Sequence, residues 1–168
     1  MVNVLKYIRG ENMRNTTLCY IEKDGKYLML HRTKKENDLN RDKWIGVGGK
    51  FEDRESPEEC VVRETFEETG LRLTSFEYRG IITFVSDEWE TEYMHLFVGK
   101  EFEGEIKECD EGVLEWVEKE KVTSLPSWEG DRLFLELLTR EVPFFSMKLV
   151  YKGDTLKEAY LNAKKYDG

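Results

Sequence analysis

The sequence predicts an α+β domain, a mixed β-sheet with helices packed against it, and three observations carry that prediction. Runs rich in Val, Ile, Phe, Tyr and Thr recur along the chain, as half-buried strands require. Two stretches between them bear helix start and stop signals. A length of 168 residues fits one domain whose core needs no disulfide staples.

The elements follow in order. Thr16 to Ile21 reads as a strand and Tyr27 to His31 as its hairpin partner, joined through the turn signal Asp24-Gly25. Thr33 to Lys43 is polar and reads as a loop. Trp44 to Phe51 holds Gly46, Gly48 and Gly49 and reads as a turn or a kinked short strand. The clearest helix comes next. Ser56 is its N-cap, Pro57 its first residue, Glu59 the partner in a capping box, and Gly70 its C-cap. Val61, Thr65 and Thr69 form its inward row, with Val62 and Phe66 beside it. Phe76 to Val85 and Thr91 to Lys100 read as two long strands around the turn Asp87-Glu88-Trp89-Glu90. Val113 to Val117 is a short strand, Asp131 to Arg140 a second helix stopped before Pro143, and Phe144 to Tyr151 a last strand. The tail from Thr155 to Lys165 is helical by composition, with a strand as the alternative. All 168 residues are expected to form one domain, with residues 1–12 a possible N-terminal extension and Met13 an alternative start.

Composition excludes several classes of function. With 39% hydrophobic and 36% charged residues, the chain is expected to be a soluble globular protein. No apolar run approaches the roughly 18 residues needed to span a bilayer, so no membrane partner is expected. The start MVNVLKYIRGENMR lacks a signal-peptide core. Cys19, Cys60 and Cys109 are odd in number and show no metal-binding spacing, which suits reduced thiols in a cytoplasmic protein. A net charge of −9 disfavours capture of a nucleic-acid backbone, so no stable nucleic-acid complex is expected.

The segment Gly48 to Leu71, GGKFEDRESPEECVVRETFEETGL, is where chemistry concentrates. Glu64, Glu67 and Glu68 fall on one helical face. Like charges at that spacing repel, and a local rule broken on one face points to a function or a compensating cation. Hard oxygen donors suit Mg²⁺ or Mn²⁺. Arg63 can reach both Glu67 and Glu55 and so hold carboxylates in place. The Gly49 carbonyl could serve as a further ligand. Taken alone, three glutamates are more often a solvated acidic face.

The segment resembles the Nudix box, G-x5-E-x7-R-E-U-x-E-E-x-G-U, with U a bulky aliphatic. Gly49, Glu55, Arg63, Glu64, Glu67, Glu68, Gly70 and Leu71 match, and only Thr65 departs. The resemblance implies the Nudix fold, an α/β/α sandwich, and a divalent metal held by Gly49, Glu64, Glu67, Glu68 and Glu111. It makes Glu64, Glu67, Arg63 and Glu111 the catalytic candidates. Beyond the box, ECDEGVLEW around Glu111 and LPSWEGD around Trp128 are similar to the MutT-type branch that hydrolyses oxidised purine nucleoside triphosphates such as 8-oxo-dGTP.

That likeness implies a small-molecule nucleotide substrate bound by Arg32, Phe84, Trp128 and Asp131. Trp128 would stack on the base and Asp131 would bond its edge. Each has a plainer reading: Arg32 a strand-end charge, Phe84 core, Trp128 a helix staple, Asp131 an N-cap, Glu111 a surface acid. Two purine-reading positions of the branch depart here, at Ile45 and Gly130. The expected reaction gives a nucleoside monophosphate and pyrophosphate, with Mg²⁺ as cofactor and Mn²⁺ able to substitute. Another nucleoside diphosphate derivative as substrate, or a non-catalytic nucleotide-binding module, are the alternatives. A monomer or homodimer is expected.

Overall fold

The computed structural model describes residues 13–168. The possible extension over residues 1–12 lies outside them. The strands are β1 (Arg14–Lys23), β2 (Lys26–Arg32), β3 (Trp44–Ile45), β4 (Arg72–Ser86), β5 (Glu92–Glu103), β6 (Gly112–Glu118), β7 (Phe145–Lys152), β8 (Thr155–Leu161) and β9 (Lys164–Lys165). The helices are α1 (Pro57–Thr69), the short α2 (Lys119–Val122) and α3 (Asp131–Thr139).

The sheet is mixed, as expected. Its order is β3-β2-β1-β5-β4-β7-β8-β9, with β6 paired to β2. β1 runs parallel to β5, and β4 parallel to β7; the other pairings are antiparallel. Side chains alternate across it. Leu18, Tyr20, Tyr27, Met29, Leu96 and Val98 face one way and pack with Leu133, Phe134 and Leu137 of α3. Cys19, Ile21, Leu28, Leu30 and Phe97 face the other way and pack with Val61 of α1 and Leu71. One sheet between two helical layers is the α/β/α arrangement.

α1 forms as its caps dictate. Ser56 accepts from the Glu59 backbone N–H at 3.1 Å, and Glu59 accepts from the Ser56 N–H at 2.8 Å. Gly70 closes the helix in the left-handed region at φ 80°, where a side chain would be strained. Val61, Thr65 and Thr69 are fully buried. Phe66 corrects the expectation. It is 47% exposed, turned about 100° from Thr65 on the helix, with Arg72 and Lys107 over its ring.

The tail is the second correction. Residues 155–165 are strands, not helix. Lys, Glu, Ala and Leu favour a helix intrinsically, but the open edge of β7 offers a full ladder from Met147 to Lys152. Asn162 and Ala163, both at positive φ, make the tight turn into β9, a geometry suited to two-residue hairpin loops. Phe145–Lys152 is therefore an inner strand rather than the last one.

Candidate active site

The segment between β3 and α1 returns along β1 as a partial extra strand. Val47 and Cys19 exchange backbone hydrogen bonds at 2.6 and 2.9 Å, and the Thr17 N–H donates to the Gly49 carbonyl at 2.9 Å. Gly48 sits at φ 150°, and a Cβ there would lie 1.9 Å from the Thr17 carbonyl oxygen. A Cβ on Gly49 would stand 2.4 to 2.7 Å from the carboxyl atoms of Glu64. These glycines let the loop, β1 and the carboxylates of α1 close on one another.

Arg63 organises the acids around it. Its Nε and Nη2 take Glu55 in a fork at 2.6 and 2.8 Å; Nη1 reaches Glu64 at 2.7 Å and Glu67 at 3.1 Å; Nη2 also donates to the Lys50 carbonyl at 2.9 Å. The Arg63 hydrogen bonds hold the Glu55 carboxyl down at about 2. Glu67 stands at the outer end of the row, with its side chain 55% exposed.

Glu64 and Glu68 lie inward. The Gly48 N–H donates to Glu68 at 2.9 Å. Burial pushes the Glu68 carboxyl up, and the charges of Glu111 and Glu64 add to the rise, against the relief from Gly48. Glu64 is likewise raised, chiefly by burial, although Arg63 opposes it. Burial also works against charge on Glu111, but Lys35, at 2.7 Å, and Arg32 outweigh it and hold that carboxyl low. Arg32 donates to Glu111 and, through Nε, to Asp38 at 2.6 Å. Its guanidinium is shared between these two carboxylates.

Do these residues suit a divalent cation? Glu64, Glu68 and Glu111 line one cleft. They are hard donors whose mutual repulsion is only partly offset by protein cations. Among the described residues no three acids stand in ready-made coordination; Arg63 engages Glu64 and Glu67, and the Gly48 N–H engages Glu68. The Gly49 carbonyl also serves β1. The fit is one of chemistry rather than of finished geometry.

The cleft, about 580 Å³ in volume, runs from Gly48, Gly49, Glu64, Glu68 and Glu111 to Phe84, Trp128 and Asp131. Phe84 and Tyr151 pack edge-on against Trp128, with ring centroids 5.3 and 5.0 Å away. The Lys43 ammonium lies 4.4 Å from the Trp128 ring centroid, and the indole N–H donates to Asn40 Oδ1 at 2.9 Å. Phe84 and Trp128 are thus both core and cleft wall. Asp131 is the first residue of α3, after the N-cap Gly130, which removes its plainer reading as the cap. It is 7% exposed. Burial raises its carboxyl to about 7 against the opposing pull of Lys43 and the Trp128 backbone.

The structure therefore brings every sequence-predicted site residue to one cleft or its border. Ile45 lines the cleft with an apolar surface. Gly130 is fixed by packing: a Cβ would lie 2.6 Å from Leu149 and 2.7 Å from the Tyr151 hydroxyl. Sequence reasoning missed Asp38 and Asn40 in the polar loop, Lys43, and Glu92, which accepts from Thr16 Oγ1 at 2.7 Å. A loop dense in Asn and Asp was the only signal for the first two.

Comparison with known proteins agrees with this geometry. The NUDIX domain model matches residues 12–138. An oxidized purine nucleoside triphosphate hydrolase of Danio rerio is 30% identical over 147 residues, covering 87% of this chain and 92% of its own. A CTP pyrophosphohydrolase of Escherichia coli is 29% identical over 128 residues, covering 74% and 90%. The crystal structure of a MutT protein from Bacillus halodurans matches with a TM-score of 0.79 at 29% identity, over 90% of this chain and 99% of its own. The box, the sheet flanked by helices and these relatives together place the chain in the Nudix family, as a hydrolase of MutT type.

Proposed function

We propose that the cleft hydrolyses a nucleoside triphosphate to a nucleoside monophosphate and pyrophosphate, with an oxidised purine such as 8-oxo-dGTP as the preferred substrate. The observation that carries this reading is one cleft with two unlike ends. Crowded carboxylates stand at one end, and an aromatic wall with a buried, readily protonated Asp131 stands at the other. The kinship with the oxidized purine nucleoside triphosphate hydrolase favours the oxidised base. The kinship with the CTP pyrophosphohydrolase makes a pyrimidine triphosphate the second reading.

Nudix hydrolases generally use divalent metal ions. Here Glu64, Glu67, Glu68, Glu111 and the Gly49 carbonyl would hold Mg²⁺, or Mn²⁺ in its place. When bound, the ion supplies charge neutralisation on the polyphosphate. The chain's own residues do the rest. Trp128 presents an apolar edge and ring to the base, and Phe84 backs it. Asp131, neutral below about pH 7, can both donate to and accept from a base edge. Glu64 takes the proton of the attacking water as the P–O bond to the pyrophosphate breaks; Glu111 is the second candidate for that role. Arg63 keeps Glu55, Glu64 and Glu67 in register. Arg32, the proposed phosphate contact, also holds Glu111. Three buried free thiols among the described residues suit the proposed cytoplasmic setting.

The test is a panel of oxidised and ordinary nucleotides with Mg²⁺, reading pyrophosphate against phosphate release, with and without excess chelator. Pyrophosphate from 8-oxo-dGTP at the highest kcat/KM, lost on chelation, is expected. Full activity in chelator would sink the metal-assisted reading, and a preference for CTP would replace the purine one.

A further inference from the structure

The loop between β2 and β3 is polar in sequence yet closely held. The Asp42 N–H donates to the Arg32 carbonyl at 2.7 Å, the Arg41 N–H to the Asp38 carbonyl at 3.0 Å, and the Lys43 N–H to the Asn40 carbonyl at 2.9 Å. Within it the Asp38 side chain is 6% exposed, a degree of burial that aspartate tolerates only when paired. Its two oxygens take different partners. Oδ2 accepts from Arg32 Nε at 2.6 Å, and Arg32 Nη1 goes on to Glu111. Oδ1 accepts from the Asn40 backbone N–H at 2.9 Å, and Asn40 Oδ1 receives the Trp128 indole N–H at 2.9 Å. Trp128, Asn40, Asp38, Arg32 and Glu111 are thus linked by hydrogen bonds, joined at Asn40 through that residue's own side chain and backbone. The linkage spans from the aromatic wall to the carboxylate end.

We propose that Asp38 is a positioning residue that couples the seating of the base against Trp128 to the placement of Glu111. The inference rests on the nucleotide reading of the cleft given above. The physical ground is the rigidity of the middle link. A guanidinium is a planar fork, so fixing one arm on Asp38 sets the angle at which the other meets Glu111. Arg32 is mostly buried, with its side chain 13% exposed, and has little room to re-form the pair in another geometry. A base that displaces the Trp128 indole moves Asn40, and the Asn40–Asp38 turn moves with it. Glu111 is then well placed only when the wall is correctly filled. A bystander brace would lend the loop stability without transmitting anything between the two ends.

Asp38→Asn separates these cases. It keeps the acceptor toward the Asn40 N–H and loses the charge facing Arg32. Three readouts are taken on the full chain: steady-state kinetics, Mn²⁺ affinity by calorimetry, and the indole ¹⁵N–¹H resonance of Trp128. We expect kcat and Mn²⁺ affinity each to fall about 10-fold or more, the range for groups that orient metal ligands. KM should stay within about 3-fold, and the Trp128 resonance should shift although Asp38 does not touch the indole. In a Glu111→Gln background the same substitution should change kcat by less than about 2-fold, because the carboxylate it positions is gone.

The proposal is overturned if Mn²⁺ affinity and the Trp128 resonance both stay at parental values, or if the kcat loss is undiminished in the Glu111→Gln background. Arg32→Lys breaks the chain one bond nearer Glu111 and must give the same pattern; parental behaviour there overturns the proposal equally if Asp38→Asn does not fold. Should the parent hydrolyse no nucleotide while Mn²⁺ affinity and the indole resonance still respond together, the coupling stands and the nucleotide reading falls.

Discussion

Asp131→Asn offers a measurement that needs no substrate. Burial lifts the Asp131 carboxyl from an ordinary 3.8 to about 7, a difference of about three units. Between those values the folded chain keeps a proton that the unfolded chain has released. Stability therefore falls as pH rises through this window and levels off above about 7. At about 1.4 kcal/mol per unit the ceiling is about 4 kcal/mol. Asp131 faces a cleft that water can enter, so a measured value of about 2 to 4 kcal/mol is expected. The amide that replaces the carboxyl does not titrate. Urea melts of parent and variant from pH 4 to pH 8 cancel the other acids, which the two proteins share. The variant should gain on the parent by that amount across the range, or on the order of 10 °C in Tm for a chain of this size. Parallel stability curves would refute the burial argument and, with it, a neutral Asp131 at the base edge.

Three further outcomes follow from the same geometry. Glu64→Gln keeps size but removes the proposed base and a metal-binding charge; turnover should fall at least about 10²-fold with folding intact, and near-parental turnover would show that the site is misplaced. Gly49→Ala drives a methyl group into the space of the Glu64 carboxyl, so it should cost kcat of similar size while Tm moves by no more than a few degrees; an active Gly49→Ala enzyme would mean that Glu64 need not stand where it does. Thr65→Val replaces a fully buried hydroxyl that makes no well-formed hydrogen bond among the described residues and should stabilise the protein by about 1 kcal/mol, or about 2–4 °C in Tm; a fall in Tm would show that the hydroxyl is satisfied in solution.

What could be read in advance was local. α1 announces itself because its caps, its first proline and its terminal glycine all lie within fifteen residues of sequence, and each acts on the backbone next to it. The acids on its face follow from helical spacing alone. The departures come from contacts between distant parts of the chain. Asn40 meets Trp128 across 88 residues, and Arg32 meets Glu111 across 79; neither pairing leaves a periodic trace. Asp38 reads as one polar residue among many in a loop until Arg32 is seen to need it. The tail stayed open between helix and strand for a related reason: its composition favours a helix, but the vacant edge of β7 decided for the strand, and that edge is a property of the assembled sheet. Phe66 shows the limit of the helical wheel, since its position one residue past Thr65 is enough to turn it out to solvent.

The distribution of charge in the cleft argues for the kind of ligand it takes. Arg63 has every guanidinium nitrogen engaged, by Glu55, Glu64, Glu67 and the Lys50 carbonyl. Arg32 is shared between Asp38 and Glu111, and Lys35 adds a second cation to Glu111. These cations hold Glu55 and Glu111 low. Among the described residues none of them hydrogen-bonds to Glu68, which takes the Gly48 N–H and stands against two neighbouring acids, Glu111 and Glu64. A fold selected for stability alone would place an apolar side chain at so buried a position. Glu68 at 9% exposure instead holds its proton more tightly than an ordinary carboxylate, and a cation brought into the cleft would favour its ionised form. A ligand that carries a compact cation suits that end, while the other end offers an aromatic wall with Asp131 and Lys43 beside it. The two halves of the cleft thus suit the two halves of a metal-bound nucleotide.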